Sequence, residues 1–145
     1  MPQIVALPAA AESYLWAIIL LPLAGAIFNG LVGRRLGKGN VAFVGISVMV
    51  GSLLISAIAF YWTVKGQVLQ FRGEPWFRVP GPDGRALISI GWGLLVDRLS
   101  GTMIMVVTGV GTLIHVYSAS YMSHEDDAGF ARFFTYLNLF MAMML

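Results

Sequence analysis

The chain reads as an all-α membrane protein of multi-pass transmembrane helices, three complete and a fourth cut short, with a small extracytoplasmic β-hairpin between helices 2 and 3. Three observations carry this. Hydrophobic residues make up 58% of the chain and charged ones only 11%, which leaves too little polar surface to coat a soluble domain of this length. The charges lie in connecting segments, and the uncharged runs between them are long enough, at ~1.5 Å per residue, to reach across the ~30 Å hydrocarbon core of a bilayer. Within those runs the small and polar residues recur at helical spacing. Together the residues form the N-terminal part of a single membrane domain, 1–145, with helices at about 14–32, 41–64, 99–121 and 133–145 and a hairpin loop at 65–98.

Met1 to Ser13 has one acid, Glu12, and no Lys or Arg. It lacks the positive start and placed cleavage site of a secretory signal, so it is expected to stay attached. Tyr14 to Val32 is the first membrane helix, anchored at the interface by Tyr14 and Trp16. Pro22 removes one backbone donor from its middle and predicts a kink near Ile18, whose carbonyl must be satisfied by a neighbour. Asn29 and Gly30 lie near its exit. Gly33 to Asn40, GRRLGKGN, holds three positive charges and no acid, and short basic loops stay in the cytoplasm, which puts the N-terminus outside. Val41 to Val64 is the second helix, with Gly45, Ser52 and Ser56 on one packing side and Tyr61 and Trp62 at the outer interface.

Lys65 to Arg98 spreads five positive charges through a long polar loop, and the dense cluster in the tight first loop outweighs them in setting orientation. Gly81-Pro82-Asp83-Gly84 is a turn sequence. Pro75 to Val79 and Ala86 to Trp92 flank it as short strands, with Ile88, Ile90 and Trp92 alternating with Ser89, Gly91 and Gly93. Leu99 to Tyr121 is the third helix and has two unlike faces. Gly101, Thr108, Gly111, Thr112, His115 and Ser118 fall along one side, while Met103, Ile104, Val107, Val110 and Leu113 cover much of the rest. In lipid the small and polar face is the one that meets other helices, so His115 is expected to point into protein. Met122 to Ala131 follows as a solvated loop. Arg132 opens the fourth helix, Phe133 to Leu145, which stops at its most apolar point. A chain that ends inside hydrocarbon reads as the front part of a larger protein.

Several chemistries are excluded. The chain has no cysteine, so disulfides, thiolate metal sites and cysteine-ligated clusters are out. The net charge of +2 is too small and scattered for nucleic acid. Gly109-Val110-Gly111 lies inside a membrane helix with no strand before it, which removes the dinucleotide reading. His124, Glu125, Asp126 and Asp127 lack the ordered spacing of a metal loop and read as solvated acids. No catalytic set of Ser, His and Asp is visible, and no metal site is assigned.

What remains is a set of supporting polar residues. His115 titrates near physiological pH, and an ionisable group on a membrane helix is a functional hypothesis. Against that stands the reading that it bonds a neighbouring carbonyl or hydroxyl beside Thr112 and Ser118. Asp97, with Arg98, precedes the third helix as an interfacial ion pair or cap. Asn138, alone in the fourth helix, reads as an interhelical hydrogen bond.

The run from Val96 to Leu145 resembles the N-terminal region of the L subunit of bacterial proton-translocating NADH:quinone oxidoreductase, respiratory complex I. Its mitochondrial counterpart is NADH dehydrogenase subunit 5, and the large subunit of multisubunit cation/proton antiporters is a relative. The resemblance rests on Asp97-Arg98-Leu99-Ser100, on Gly111 with Ile114-His115-Val116-Tyr117-Ser118, on Tyr121-Met122, and on Arg132-Phe133-Phe134 with Tyr136-Leu137-Asn138-Leu139-Phe140. Weaker agreement runs upstream through Leu21-Pro22-Leu23 and the basic loop. It implies an antiporter-like subunit of the inner membrane, lodged in the lipid bilayer among other membrane-arm subunits of complex I. Its first three helices flank inverted five-helix repeats, the first beginning at Phe133. It also implies that the proton-path glutamate and lysine lie beyond Leu145. NAD, FMN, iron–sulfur clusters and quinone belong to other subunits, leaving no cofactor in this chain. A sodium or potassium/proton antiporter subunit and a purely structural membrane protein are the alternatives; ion dependence of transport separates the first, and the absence of a buried acid or lysine further along marks the second.

The charge distribution yields a topology prediction. With Gly39→Cys and Gly84→Cys variants in intact cells, a membrane-impermeant thiol reagent should label position 84 and spare position 39. The reverse pattern would contradict the orientation.

Overall fold

A computed structural model of the chain describes residues 3–6, 9–72, 75–80, 86–91 and 93–145. Four helices dominate it: α1 (Ala9–Leu36), α2 (Lys38–Val64), α3 (Arg98–Tyr121) and α4 (Asp127–Met144). The spans Tyr14–Leu36, Lys38–Val64 and Arg98–His124 are long and apolar enough to cross a membrane. The chain is a mostly helical multi-pass membrane protein.

The helices overrun their hydropathy boundaries, because backbone bonding continues where the apolar side chains stop. The basic segment expected as a loop from Gly33 to Asn40 is almost entirely helical. Gly37 alone interrupts it, with φ at 76°, in the left-handed region where a Cβ is penalised. Arg34 and Arg35 therefore sit in the last turn of α1, against the negative end of its dipole. The loop expected from Met122 to Ala131 is likewise corrected. Met122–His124 is a 3-10 turn, and α4 begins at Asp127 rather than after Arg132, capped by Asp126, which accepts the Gly129 N–H at 2.8 Å. The acids read as a solvated loop thus include the cap and first turn of a helix.

Five short strands accompany the helices. β1 (Gln3–Ala6) runs parallel to β2 (Gln67–Arg72), which pairs antiparallel with β5 (Gly93–Val96). β3 (Phe77–Pro80) and β4 (Ala86–Ile90) form the expected hairpin, Phe77 opposite Ile90 and Val79 opposite Ile88. Its turn at 81–84 and its predicted last residue, Trp92, lie outside the described residues. The three-stranded sheet was not foreseen: β1 and β5 are four residues each, too short to show a period, and parallel pairing of distant segments leaves no local signal.

α1 packs against α4 and α2, and α2 also contacts α3 and α4; the α3–α4 contact is smaller. The three-stranded sheet closes one end, where Leu15, Ile18, Ala59, Leu69 and Val96 form an apolar cluster and Trp16 meets Phe71 edge-on at 5.7 Å. At the other end Val41, Phe130, Ala131 and Phe134 form a second cluster, and Lys38 Nζ donates to the Ser123 carbonyl at 3.0 Å, tying the two helix connections together. Outer faces carry exposed Leu31, Phe43, Leu54, Leu113 and Met143. In water such faces would aggregate; in a bilayer they meet acyl chains or further helices.

Pro22 lies inside α1 and leaves the carbonyl of Ile18 without its intrahelical donor. The Ser52 hydroxyl of α2 supplies one, donating to that oxygen at 2.7 Å. Ser52→Ala should therefore lower stability in detergent or bilayer by about 1 kcal/mol. In a Pro22→Ala background the helix provides its own N–H, and the same change should cost markedly less. Equal costs in both backgrounds would show that the two residues are not coupled.

Candidate functional site

The buried residues of α3 are Gly101, Thr108, Gly111, Thr112, His115 and Ser118, the side that helical spacing had marked. The buried stripe of α4 is Phe130, Ala131, Phe134, Asn138, Met141 and Ala142. Where the stripes meet, His115 and Asn138 are both 0% exposed. His115 Nε2 lies 3.0 Å from Asn138 Oδ1, and Nδ1 lies 2.7 Å from the Gly111 carbonyl one turn back on its own helix. The Phe134 ring stands edge-on to the imidazole, with centroids 6.0 Å apart.

Glycines make the room for this contact. A Cβ at Gly45 of α2 would lie 2.7 Å from Phe134 Cδ1 and 3.2 Å from Asn138 Nδ2, and one at Gly25 of α1 would lie 3.4 Å from the same Nδ2. A Cβ at Gly111 would run into Met141. The amide of Asn138 thus touches the crossing point of all four helices. Gly45 was legible as a packing residue from its spacing with Ser52 and Ser56. Gly25 and Phe134 carried no signal, because their role depends on which helices become neighbours.

The proton inventory of the pair is specific. Nδ1 faces a carbonyl, so it carries a hydrogen and donates. With Asn138 Oδ1 toward the ring, Nε2 must donate as well and the ring is an imidazolium. With the amide turned by 180°, which hardly changes its shape, Nδ2 donates to Nε2 of a neutral ring. As placed, Asn138 Nδ2 has no partner; turning the amide gives it one and leaves the oxygen beside Gly25 and Gly45. The two self-consistent arrangements differ by one proton. Either arrangement keeps the hydrogen bond between α3 and α4.

The other predicted residues take different places. Thr108 and Thr112 donate to the Ile104 and Thr108 carbonyls of their own helix, at 2.8 and 2.7 Å, and line the face without reaching across it. Ser118 is buried further along. Asp97 is about 27 Å from His115 along the helix axis and does not join the pair. It caps α3, accepting the Ser100 N–H at 2.7 Å while the Ser100 hydroxyl closes a capping box. The Ser100 hydroxyl, and after it the Ser100 amide, hold the Asp97 carboxyl below the usual carboxylate range. A depressed folded value means the cap contributes above the unfolded pKa and is lost as pH falls through the folded one. Arg98 does not close on Asp97; its guanidinium donates to the Val64 carbonyl at the end of α2, at 3.2 Å. Among the described residues no three His, Asp or Glu side chains converge on a metal position.

Residues 85–134, which carry this face and the start of α4, match the family model described as NADH-Ubiquinone oxidoreductase (complex I), chain 5 N-terminus. The chain is 37% identical over 129 residues to NADH-quinone oxidoreductase subunit L of Rickettsia bellii, covering 88% of this chain and 19% of that protein. It is 35% identical over 130 residues to subunit L of Neisseria meningitidis serogroup B, covering 88% and 18%. With NADH-ubiquinone oxidoreductase chain 5 of Marchantia polymorpha the identity is 37% over 129 residues, covering 88% and 18%. The chain belongs to this subunit L and chain 5 family. It spans less than a fifth of the length of these relatives.

The glycine seats yield the next prediction. Gly45→Ala should force Phe134 and Asn138 aside and lower stability by about 1–3 kcal/mol, the usual range for overpacking. Gly109→Ala in α3 meets nothing nearer than Leu53 at 4.0 Å and should leave the unfolding midpoint unchanged. Equal effects at the two positions would contradict the packing assigned to Gly45.

Proposed function

We propose that this chain works within an antiporter-like membrane-arm subunit of a proton-translocating NADH:quinone oxidoreductase, contributing to proton translocation coupled to electron transfer from NADH to quinone. The observation that carries the reading is the buried His115–Asn138 contact, an ionisable side chain held by a polar partner where membrane helices cross. The family supports it, since its relatives bear the names NADH-quinone oxidoreductase subunit L and NADH-ubiquinone oxidoreductase chain 5. In this reading the helices are scaffold and His115 is a positioning residue, with Asn138, Thr112, Ser118 and the Asp97 cap in support. The residues that transfer protons, a glutamate and a lysine buried near the midplane, belong to later helices of the full-length protein. NAD, FMN, iron–sulfur clusters and quinone are handled by other subunits, which are also the partners of this one. The protein resides in the inner membrane with its N-terminus outside, on the charge of the Arg34, Arg35 and Lys38 segment.

In the full-length protein assembled in its complex, His115→Gln should retain most proton pumping, because the amide still bonds Asn138. His115→Ala strands Asn138 and should weaken assembly or coupling by about 1 kcal/mol. A Gln variant that assembles normally yet pumps no protons would move His115 onto the proton path and overturn its supporting role.

A further inference from the structure

At the end of the helices opposite the three-stranded sheet, α1 and α4 enclose a cavity of about 290 Å³ whose walls include Asn29, Arg34, Ala131, Arg132, Thr135 and Tyr136. We propose that this cavity binds the phosphodiester of an anionic phospholipid headgroup.

Two arginines line the cavity. Arg34 lies in the last turn of α1, and Arg132 lies in the second turn of α4. Among the described residues neither meets a carboxylate. Glu125, Asp126 and Asp127 belong to the same end of the molecule but not to the cavity wall, and Asp126 is occupied in capping α4. Two like charges on one cavity repel each other until an anion enters between them. Arg132 Nε donates to the Ala128 carbonyl at 3.2 Å, which fixes the side chain and leaves its terminal amino groups free to form a planar fork. That fork matches the paired oxygens of a phosphate. At the cavity wall Asn29 donates its Nδ2 to the Val41 carbonyl at 3.2 Å, while its buried Oδ1 has no partner.

The surroundings select a lipid over free phosphate. Arg34 continues a stripe of α1 that holds Ile27 and Leu31, 55% and 79% exposed. Arg132 continues a stripe of α4 that holds Tyr136, Leu139 and Met143, 65%, 39% and 71% exposed. Both stripes run from the basic end toward the middle of the membrane at i, i+3 and i+4 spacing. A headgroup seated between the arginines would lay its acyl chains along them. Arg34 lies at the end of a membrane-spanning helix, with Arg132 beside it on α4, at the level of lipid phosphates, where basic pockets between helices take anionic headgroups. Tyr136 is an aromatic at that level.

The test uses the full-length protein in nanodiscs that contain phosphatidylglycerol or phosphatidylcholine bearing a photoreactive group in the acyl chain, with adducts mapped by peptide mass spectrometry. Peptides covering 27–34 and 132–143 should take up the phosphatidylglycerol probe about tenfold or more over the phosphatidylcholine probe, given roughly 1 kcal/mol for each basic residue near an anionic headgroup. Arg34→Gln with Arg132→Gln should remove the preference, and the two Lys replacements should keep part of it. Unchanged phosphatidylcholine labelling in the Gln pair would show that the helix faces remain intact. Equal labelling by both lipids in the wild type, or a preference that survives the Gln pair, would overturn the site. A preference abolished by millimolar inorganic phosphate would assign the cavity to free phosphate and overturn the lipid.

Discussion

Inside a bilayer no hydrophobic gain draws one apolar helix to another, so association depends on close backbone approach and on polar groups that find partners. The contact between His115 and Asn138 answers both demands at one point. It joins α3 to α4 through a hydrogen bond of 3.0 Å, and it is admitted there by Gly45 on α2, where a Cβ would strike Phe134 and crowd Asn138. Apolar clusters lie at the two ends of the molecule. The polar pair between them supplies the directional contact that apolar residues in lipid do not.

The same rule explains smaller features. Pro22 frees a carbonyl in α1, and Ser52 of α2 bonds it. Asn29 of α1 donates to the Val41 carbonyl near the start of α2. Thr63, Ser56, Thr108 and Thr112 turn their hydroxyls back onto their own helices, which lets polar residues occupy a packing face at no cost in unsatisfied groups. At the helix ends Asp97 and Asp126 cap α3 and α4, and Arg98 reaches across to the end of α2.

Much of this was legible in the residues because membrane helices carry their signals in order along the chain. The buried side of α3 could be read from the spacing of glycines, threonines and His115. Asn138 stood out as the one amide in an apolar helix, and alternating residues marked the hairpin. What stayed hidden was non-local. That Asn138 would be the partner of His115 depends on how α3 and α4 cross. The parallel β1–β2 pair unites segments about sixty residues apart in sequence, a pairing that leaves no local signal. The helix ends were misjudged for a different reason: hydropathy falls at Arg34 and Asp127 while helical hydrogen bonding, capped and charge-matched, does not.

The central claim is that the imidazole and the amide stabilise the four-helix contact through each other and not merely by filling space. A double-mutant cycle tests it most directly, with His115→Leu, Asn138→Leu and the pair compared by reversible unfolding in a bilayer-like medium. The account predicts a coupling of about 0.6–1.7 kcal/mol, from the average to the largest value typical of hydrogen bonds between membrane helices. Strict additivity of the two single changes would contradict it.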